Sequence, residues 1–270
     1  MGKMFEQRFT QAGFTVRVTG SKGVSQEPDL VQKSQLIIIT VPIDKTIDVI
    51  RRITPYLRES HLLSDFTSIK SKVVPAMLET EAQVISCHPI FGPMNDFTGQ
   101  NVVLCPARPG QFLDWYTSLY ENLGLNVEVM DAEEHDSSMS FIQGLTHFIH
   151  IVFAQTLFSE KVDIKKLLAV CSPVYQANFA FLCRILSKDP HLYSCIQTEN
   201  PKNSAILEAF IKNAQESLDL IKKKKVPLFE KNFMDYADYL GGFKYMADRQ
   251  SDFLVEKLKE YNLNRDKNET

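Results

Sequence analysis

The chain has 270 residues, 44% of them hydrophobic and 23% charged, a globular composition that excludes a disordered or collagen-like polymer. Thirty basic against thirty-three acidic side chains leave a net charge of −3, so no basic excess draws it to nucleic acid or to an anionic membrane. The five cysteines, Cys87, Cys105, Cys171, Cys183 and Cys195, are odd in number and hold no C-x-x-C pair, which excludes a disulfide scaffold and a zinc knuckle and points to a reducing, cytoplasmic setting.

The opening residues mix charges and are not a signal peptide. Met4 to Ala12 reads as a helix, and Phe14 to Thr19 as a strand by its β-branched content. After a polar stretch, Leu36 to Val41 is a near-continuous apolar run, the mark of a strand buried on both faces, and it is far short of the ~20 residues of a membrane span. Pro42 ends it, and Ile47, Ile50, Ile53 and Leu57 follow helical spacing. Leu62 to Phe66 is a strand and Lys70 to Leu78 a helix; Val84 to Cys87 and Val102 to Cys105 are strands; Phe112 to Leu123 is a helix and Val127 to Met130 a last strand. This alternation predicts a parallel, doubly wound α/β sheet over residues 1–130.

From Asp131 the strands stop. Helical patterns run over Ala132 to Lys161, Lys165 to Leu186, Ser204 to Lys224 and Phe229 to Leu258. Two stripes, Ile206, Phe210, Ala214, Leu218, Ile221 and Phe229, Phe233, Tyr236, Leu240, Phe243, each make one apolar face. Residues 131–270 are therefore expected to be an all-helical domain, with a polar, frayed tail after Leu263.

Four segments carry candidate chemistry. His88, between a strand end and Pro89, sits where open α/β sheets bind ligands; it is a general base or a loop histidine capping backbone. Ser68 follows the strand that ends near Phe66; it donates to a ligand oxygen or caps the next helix. Glu133 and Glu134 suit a helix N-terminus, which leaves His135 without a reason; further along, Gln143 and His147 are four apart on one face, and His147 with His150 lacks a third metal ligand, so no metal is expected. Arg184, a lone charge in an apolar stretch, binds a substrate carboxylate, pairs within the protein or snorkels to the surface.

Together, Val41-Pro42-Ile43, Asp65 to Lys70, His88 to Pro93, Glu134-His135-Asp136, Phe141-Ile142-Gln143, Thr146-His147-Phe148, Ser172 to Tyr175 and Asp189 to Tyr193 resemble, in order and spacing, the prephenate dehydrogenase family of tyrosine biosynthesis. The likeness is closest to the dehydrogenase part of the enteric-type bifunctional enzyme, without its mutase domain. It implies a Rossmann-like domain followed by a helical substrate and dimerisation domain, hence a homodimer. It also implies oxidative decarboxylation of prephenate to 4-hydroxyphenylpyruvate, with hydride passing to NAD, and tyrosine as a feedback inhibitor. On this resemblance His88 takes the proton of the ring hydroxyl and Ser68 orients that hydroxyl and the nicotinamide. Arg184, His147 and Gln143 bind substrate, and Gly2, Val41, Pro42 and Ser68 line the cofactor.

Two departures stand against the family pattern. Gly2 matches the third glycine of the G-x-G-x-x-G turn, so the first strand and the first two glycines are missing from this sequence. Either the true start lies upstream of Met1, or the chain is truncated and is a weak enzyme or an aromatic-ligand-binding dimer. In place of the acid that holds the NAD ribose stand Thr19-Gly20-Ser21-Lys22, and Lys22 suits a 2′-phosphate, so NADP stays open beside NAD. Arogenate stays open beside prephenate.

Overall fold

A computed structural model describes residues 1–20, 22–94 and 96–264; Ser21 and the end of the expected frayed tail, 265–270, lie outside the described residues. In chain order the elements are α1 (Gly2–Gln11), α2 (Glu27–Gln32), β1 (Leu36–Ile39), α3 (Ile43–Ile53), β2 (Leu62–Asp65), α4 (Val73–Leu78), β3 (Gln83–Pro89), β4 (Asn101–Arg108), α5 (Leu113–Asn122), β5 (Asn126–Val129) and α6 (Ala132–Met139). A π-helical turn, Ser140–Leu145, leads to α7 (Thr146–Ser159), α8 (Ile164–Ala169), α9 (Pro173–Leu186), α10 (Pro190–Glu199), α11 (Asn203–Lys222), α12 (Val226–Leu240) and α13 (Phe243–Leu263).

The strands form one sheet in the order β1-β2-β3-β4-β5. The pairs β1–β2, β2–β3 and β4–β5 are parallel, and β3–β4 is antiparallel, so the expected parallel sheet carries one reversed pairing. Successive residues point to opposite faces. Leu62 and Ile85 therefore join a core with Phe5, Phe97, Tyr116 and Tyr120, while Leu63 and Val84 join another with Ile50, Ile53 and Met77. A sheet buried on both faces explains why β2 is fully buried along its length. Helix α3 turns Thr46, Ile50 and Ile53 inward, with Asp44 in its first turn and Arg51 and Arg52 in its last, where each charge suits the helix dipole.

One expected strand does not form. Phe14 to Thr19 has no regular secondary structure and lies outside the sheet, with Phe14 and Val18 exposed. β-Branched content favours a strand only where a neighbouring strand takes its backbone hydrogen bonds. Among the described residues β1 pairs with β2 alone, and the Phe14 to Thr19 backbone pairs with no strand of the sheet.

Cα proximity divides the chain into two compact units: Met1–Gly144 with His191–Asn203, and Leu145–Pro190 with Ser204–Thr270. Residues 131–144, read from sequence with the helical half, thus pack with the sheet. Asp136 explains this: its carboxylate accepts the backbone N–H groups of Lys70 and Ser71, each at 2.8 Å.

The second unit is wholly helical. Helix α9 packs on α7 and on α13, the latter through reciprocal bonds between Gln176 and Asn262. Two long patterns break where the backbone demands it. Ser172 caps α9 and Pro173 opens it, separating α8; Gly241, at φ 54°, ends α12 before α13. Much apolar surface stays open: Phe233 is 67% exposed, Tyr239 90% and Phe243 74%. The 28-residue run Ala132–Ser159 contains an 18-residue stretch of mean hydropathy 1.3 and is long and apolar enough to cross a membrane by length and composition. The sequence reading, judging by unbroken apolar runs, did not see it. Its first turn carries the buried His135 and Asp136.

Candidate active site

Because β1, β2 and β3 run parallel, their C-terminal ends share one edge of the sheet. Thr40 to Pro42, Phe66 to Lys70 and His88 to Phe91 therefore meet there, at the edge where open α/β sheets present ligand-binding loops.

Below the loops lies a buried ion pair. Lys70 Nζ donates to Asp65 Oδ2 at 2.9 Å and to the Cys87 carbonyl at 2.7 Å, with both charged side chains fully buried. Asp65 also accepts Thr67 N–H at 2.8 Å and the hydroxyls of Thr67 and Ser86. Each partner's hydrogen-bonding capacity is thus largely used, the condition under which a buried pair is tolerated. The network ties the end of β2 to β3 one residue before His88. Ser68 is buried within this turn; α4 starts at Val73 with Lys72 at its cap position, so Ser68 does not cap the helix.

His88 is 4% exposed. Its Nδ1 lies 2.8 Å from His135 Nε2, and His135 Nδ1 lies 2.8 Å from Asp136 Oδ1. The tautomers follow from the far end. Asp136 already accepts two backbone N–H groups and can only accept from His135. His135 therefore carries its proton on Nδ1 and offers Nε2 as an acceptor. His88 must then donate from Nδ1, which leaves its Nε2 as the basic nitrogen.

Burial, then the Lys70 charge and His135, push the His88 imidazole well below its ordinary value of 6.5. Burial lowers His135 too, against the opposing pull of Asp136. Burial acts to raise the Asp136 carboxyl, but its bonds to His135, Ser71 and Lys70 hold it below the usual range. At neutral pH the chain is a neutral His88, a neutral His135 and a carboxylate. Cys87, behind His88, is pushed up to about 12 by burial and stays an inert thiol.

Gly2 begins α1 beside Thr40, at the end of β1; a Cβ on Gly2 would lie 2.6 Å from Thr40 Oγ1. The first turn of α1 has no side-chain cap; Met4 and Phe5 N–H bond the Met1 carbonyl, which leaves the Gly2 and Lys3 N–H groups as donors at the helix start beside Thr40. That cradle and those donors fit a dinucleotide phosphate.

Gln143 is half-buried in the π-helical turn. Two contacts within the first unit hold this irregular turn: Gln197 Nε2 donates to the Gly144 carbonyl at 3.1 Å, and Asn203 packs so closely that a Cβ on Gly144 would strike it at 2.3 Å. Such single π turns are common at functional sites. His147 and Arg184 belong to the second unit. Burial, then His150, hold the His147 imidazole down at about 4, so it is neutral at neutral pH. Arg184, for which the sequence left a substrate carboxylate, a partner within the protein or the surface open, is exposed in the last turn of α9, because the apolar stretch around it wraps the helix and buries only Leu182.

Spacing in the sequence left His135 without a reason and did not connect Asp136 to His88. The signal was a histidine and an acid side by side at a helix start where the dipole accounts only for the acids before them.

Comparison with known proteins gives the following. The nucleotide-binding domain of prephenate dehydrogenase matches residues 12–129, and the prephenate dehydrogenase dimerization domain matches residues 131–235. A probable arogenate/prephenate dehydrogenase of Methanocaldococcus jannaschii is 33% identical over 97% of this chain and 64% of its own length. The T-protein of Enterobacter agglomerans is 31% identical over 95% of this chain and 67% of its own. The chain thus spans about two thirds of these relatives. Prephenate dehydrogenase of A. aeolicus, solved with hydroxyphenyl propionate and NAD+, superposes with a TM-score of 0.72 at 20% identity, covering 88% of this chain and 93% of that one, and so shares the fold.

Proposed function

Since the chain belongs to the prephenate dehydrogenase family, we propose that it converts prephenate to 4-hydroxyphenylpyruvate and carbon dioxide as a soluble, cytoplasmic enzyme of tyrosine biosynthesis. The observation that carries this reading is the buried His88–His135–Asp136 chain, which offers one neutral basic nitrogen at the ligand edge of the sheet.

The N-terminus of α1, Gly2, Val41, Pro42 and Ser68 would hold the dinucleotide, for which NAD is the proposed form although Lys22 suits a 2′-phosphate. A bound nicotinamide supplies the hydride acceptor. His88 Nε2 accepts the hydrogen bond of the substrate's ring hydroxyl and takes its proton as the carbon beneath is oxidised. The bond to the ring carboxylate breaks, its electron pair stays in the ring, and carbon dioxide leaves. The ring becomes aromatic, and the proton returns from His88 to the phenol oxygen. His135 and Asp136 stabilise the imidazolium that exists between these transfers, as a buried carboxylate does for a catalytic histidine elsewhere. Ser68 orients the hydroxyl. Arg184 binds a substrate carboxylate, and His147 and Gln143 line the ring. The division into a dinucleotide-binding domain, 1–130, and a helical substrate and dimerisation domain, 131–270, belongs to the same proposal.

The exposed apolar faces of α12 and α13 support a homodimer. Tyrosine, which shares the product's ring and side-chain carboxylate, is the proposed feedback inhibitor.

The test is nicotinamide reduction followed by absorbance, with prephenate or arogenate and NAD or NADP. Turnover with prephenate and NAD is expected. Turnover with arogenate alone would move the substrate assignment. Failure with all four pairs, on this chain and on one extended by its upstream codons, would reject the enzyme reading in favour of an aromatic-ligand-binding dimer.

A further inference from the structure

Away from the His88 chain, three donors of different chemistry converge. Asp44 stands in the first turn of α3, and His191 and Cys195, four residues apart, share one face of α10. Both helices belong to the sheet unit. His191 Nε2 lies 3.2 Å from Asp44 Oδ1 and 3.7 Å from Cys195 Sγ, and the three donor atoms lie within 4.8 Å of one another. Lys45 Nζ takes the other carboxylate oxygen at 3.1 Å, which leaves Oδ1 toward the histidine.

A tetrahedral zinc with bonds of about 2.0–2.1 Å to nitrogen and oxygen and about 2.3 Å to sulfur sets its donors roughly 3.3–3.6 Å apart. The two contacts at His191 Nε2 already match that spacing. Mixed nitrogen, oxygen and sulfur donors suit a borderline-soft transition-metal ion and not magnesium or calcium, which take oxygen sets. Cys195 is 6% exposed and forms the floor, while Asp44 and His191 are exposed, so an ion could enter from solvent.

We propose that Asp44, His191 and Cys195 form a zinc-type cation site with its remaining position open to water. This departs from the sequence expectation of no metal, because the donors come from elements distant in the chain and only packing brings them together. On binding, the Cys195 thiol gives its proton to solvent and sulfur bonds the ion as thiolate. The bound ion clips the first turn of α3 to α10. The proposal does not depend on the dehydrogenase reading.

The full chain, reduced and freed of metal by a chelator, is titrated with Co2+ and, separately, with Zn2+. The expected result is saturable binding of one ion per chain, with a thiolate-to-cobalt charge-transfer band and tetrahedral visible bands that Zn2+ abolishes. The band should vanish in Cys195→Ser. In Asp44→Asn and His191→Ala affinity should fall by at least about 10–100-fold, since even removing an outer partner of a ligand costs that much. Zinc should also raise the thermal midpoint of the parent chain and not that of His191→Ala. Absence of saturable binding at micromolar metal overturns the proposal. So does a band unchanged in Cys195→Ser, which would assign the metal to another cysteine. If the buried Cys195→Ser variant does not fold, His191→Ala, changed at an exposed position, decides: undiminished affinity there rejects the site.

Discussion

Replacing Asp136 with asparagine tests the tautomer chain most directly. The carboxylate accepts from three donors: Lys70 N and His135 Nδ1 on Oδ1, and Ser71 N on Oδ2, all at 2.8 Å. An asparagine has one accepting oxygen and one donating nitrogen. If the nitrogen faces Ser71, two donors meet in a buried site and one N–H is unsatisfied, at a cost of about 1–3 kcal/mol. If it faces His135, the imidazole must accept at Nδ1 and carry its proton on Nε2. His88 then accepts at Nδ1, its proton moves to Nε2, and the basic nitrogen at the sheet edge is lost. Misplacing a general base costs about 10²–10⁴-fold in rate, equal to roughly 3–5.5 kcal/mol in the barrier. In the first orientation the tautomers survive but the His88 imidazolium loses its stabilising carboxylate charge; in the second the basic nitrogen is lost and Lys70 N–H also meets a donor. On either path steady-state nicotinamide reduction should show kcat down by at least about a hundredfold, with KM changed far less. Without the carboxylate the imidazolium is less stable, so the acid limb of the kcat/KM profile should move to lower pH. Thermal unfolding should confirm a folded protein of lowered stability. A kcat within about threefold of the parent, with an unmoved acid limb, would refute the relay.

Other consequences are open to measurement. His88→Asn should lose about 10²–10⁴-fold in kcat while keeping much of its prephenate affinity, measured by product inhibition or calorimetry; unchanged turnover would remove His88 from the reaction. His88 and His135 both have folded values below 6.5, so the unfolded chain binds more protons than the native one beneath that pH. Stability from these groups should be full above about pH 6.5 and fall as pH drops toward their folded values, so denaturation midpoints should decline from pH 7 to 5; a flat profile would contradict neutral buried imidazoles. At micromolar concentration size-exclusion elution should be that of a dimer, and a monomer volume would leave the exposed Phe233, Tyr239 and Phe243 without a partner.

The amino-acid sequence by itself determined the class of fold, strands alternating with helices and then helices alone. The apolar runs of β1 and β2 give strands, β2 buried along its length and β1, as an edge strand, half-buried except at Ile39 and so short of the burial on both faces that its run predicts. The three- and four-residue stripes after Asp131 give helices, because periodicity dictates which face meets water. His88 and Ser68 stood out as candidates because both lie near strand ends, although β3 runs on through His88 to Pro89 and only Ser68 follows its strand. The Phe14 to Thr19 segment was misread for the complementary reason: a strand is defined by its neighbour, and no local pattern reports whether one is there. The burial of Arg184 could not be judged from apolar neighbours that wrap all sides of a helix. Only the tertiary structure decided that His135 and Asp136 stand behind His88, since Asp136 is fixed by the backbone of Lys70 and Ser71, far away in the chain. The same holds for Asp44 beside His191 and Cys195. Hydrogen bonds and ligand sets of this kind depend on distances of a few tenths of an ångström between separate elements, and packing alone sets those distances.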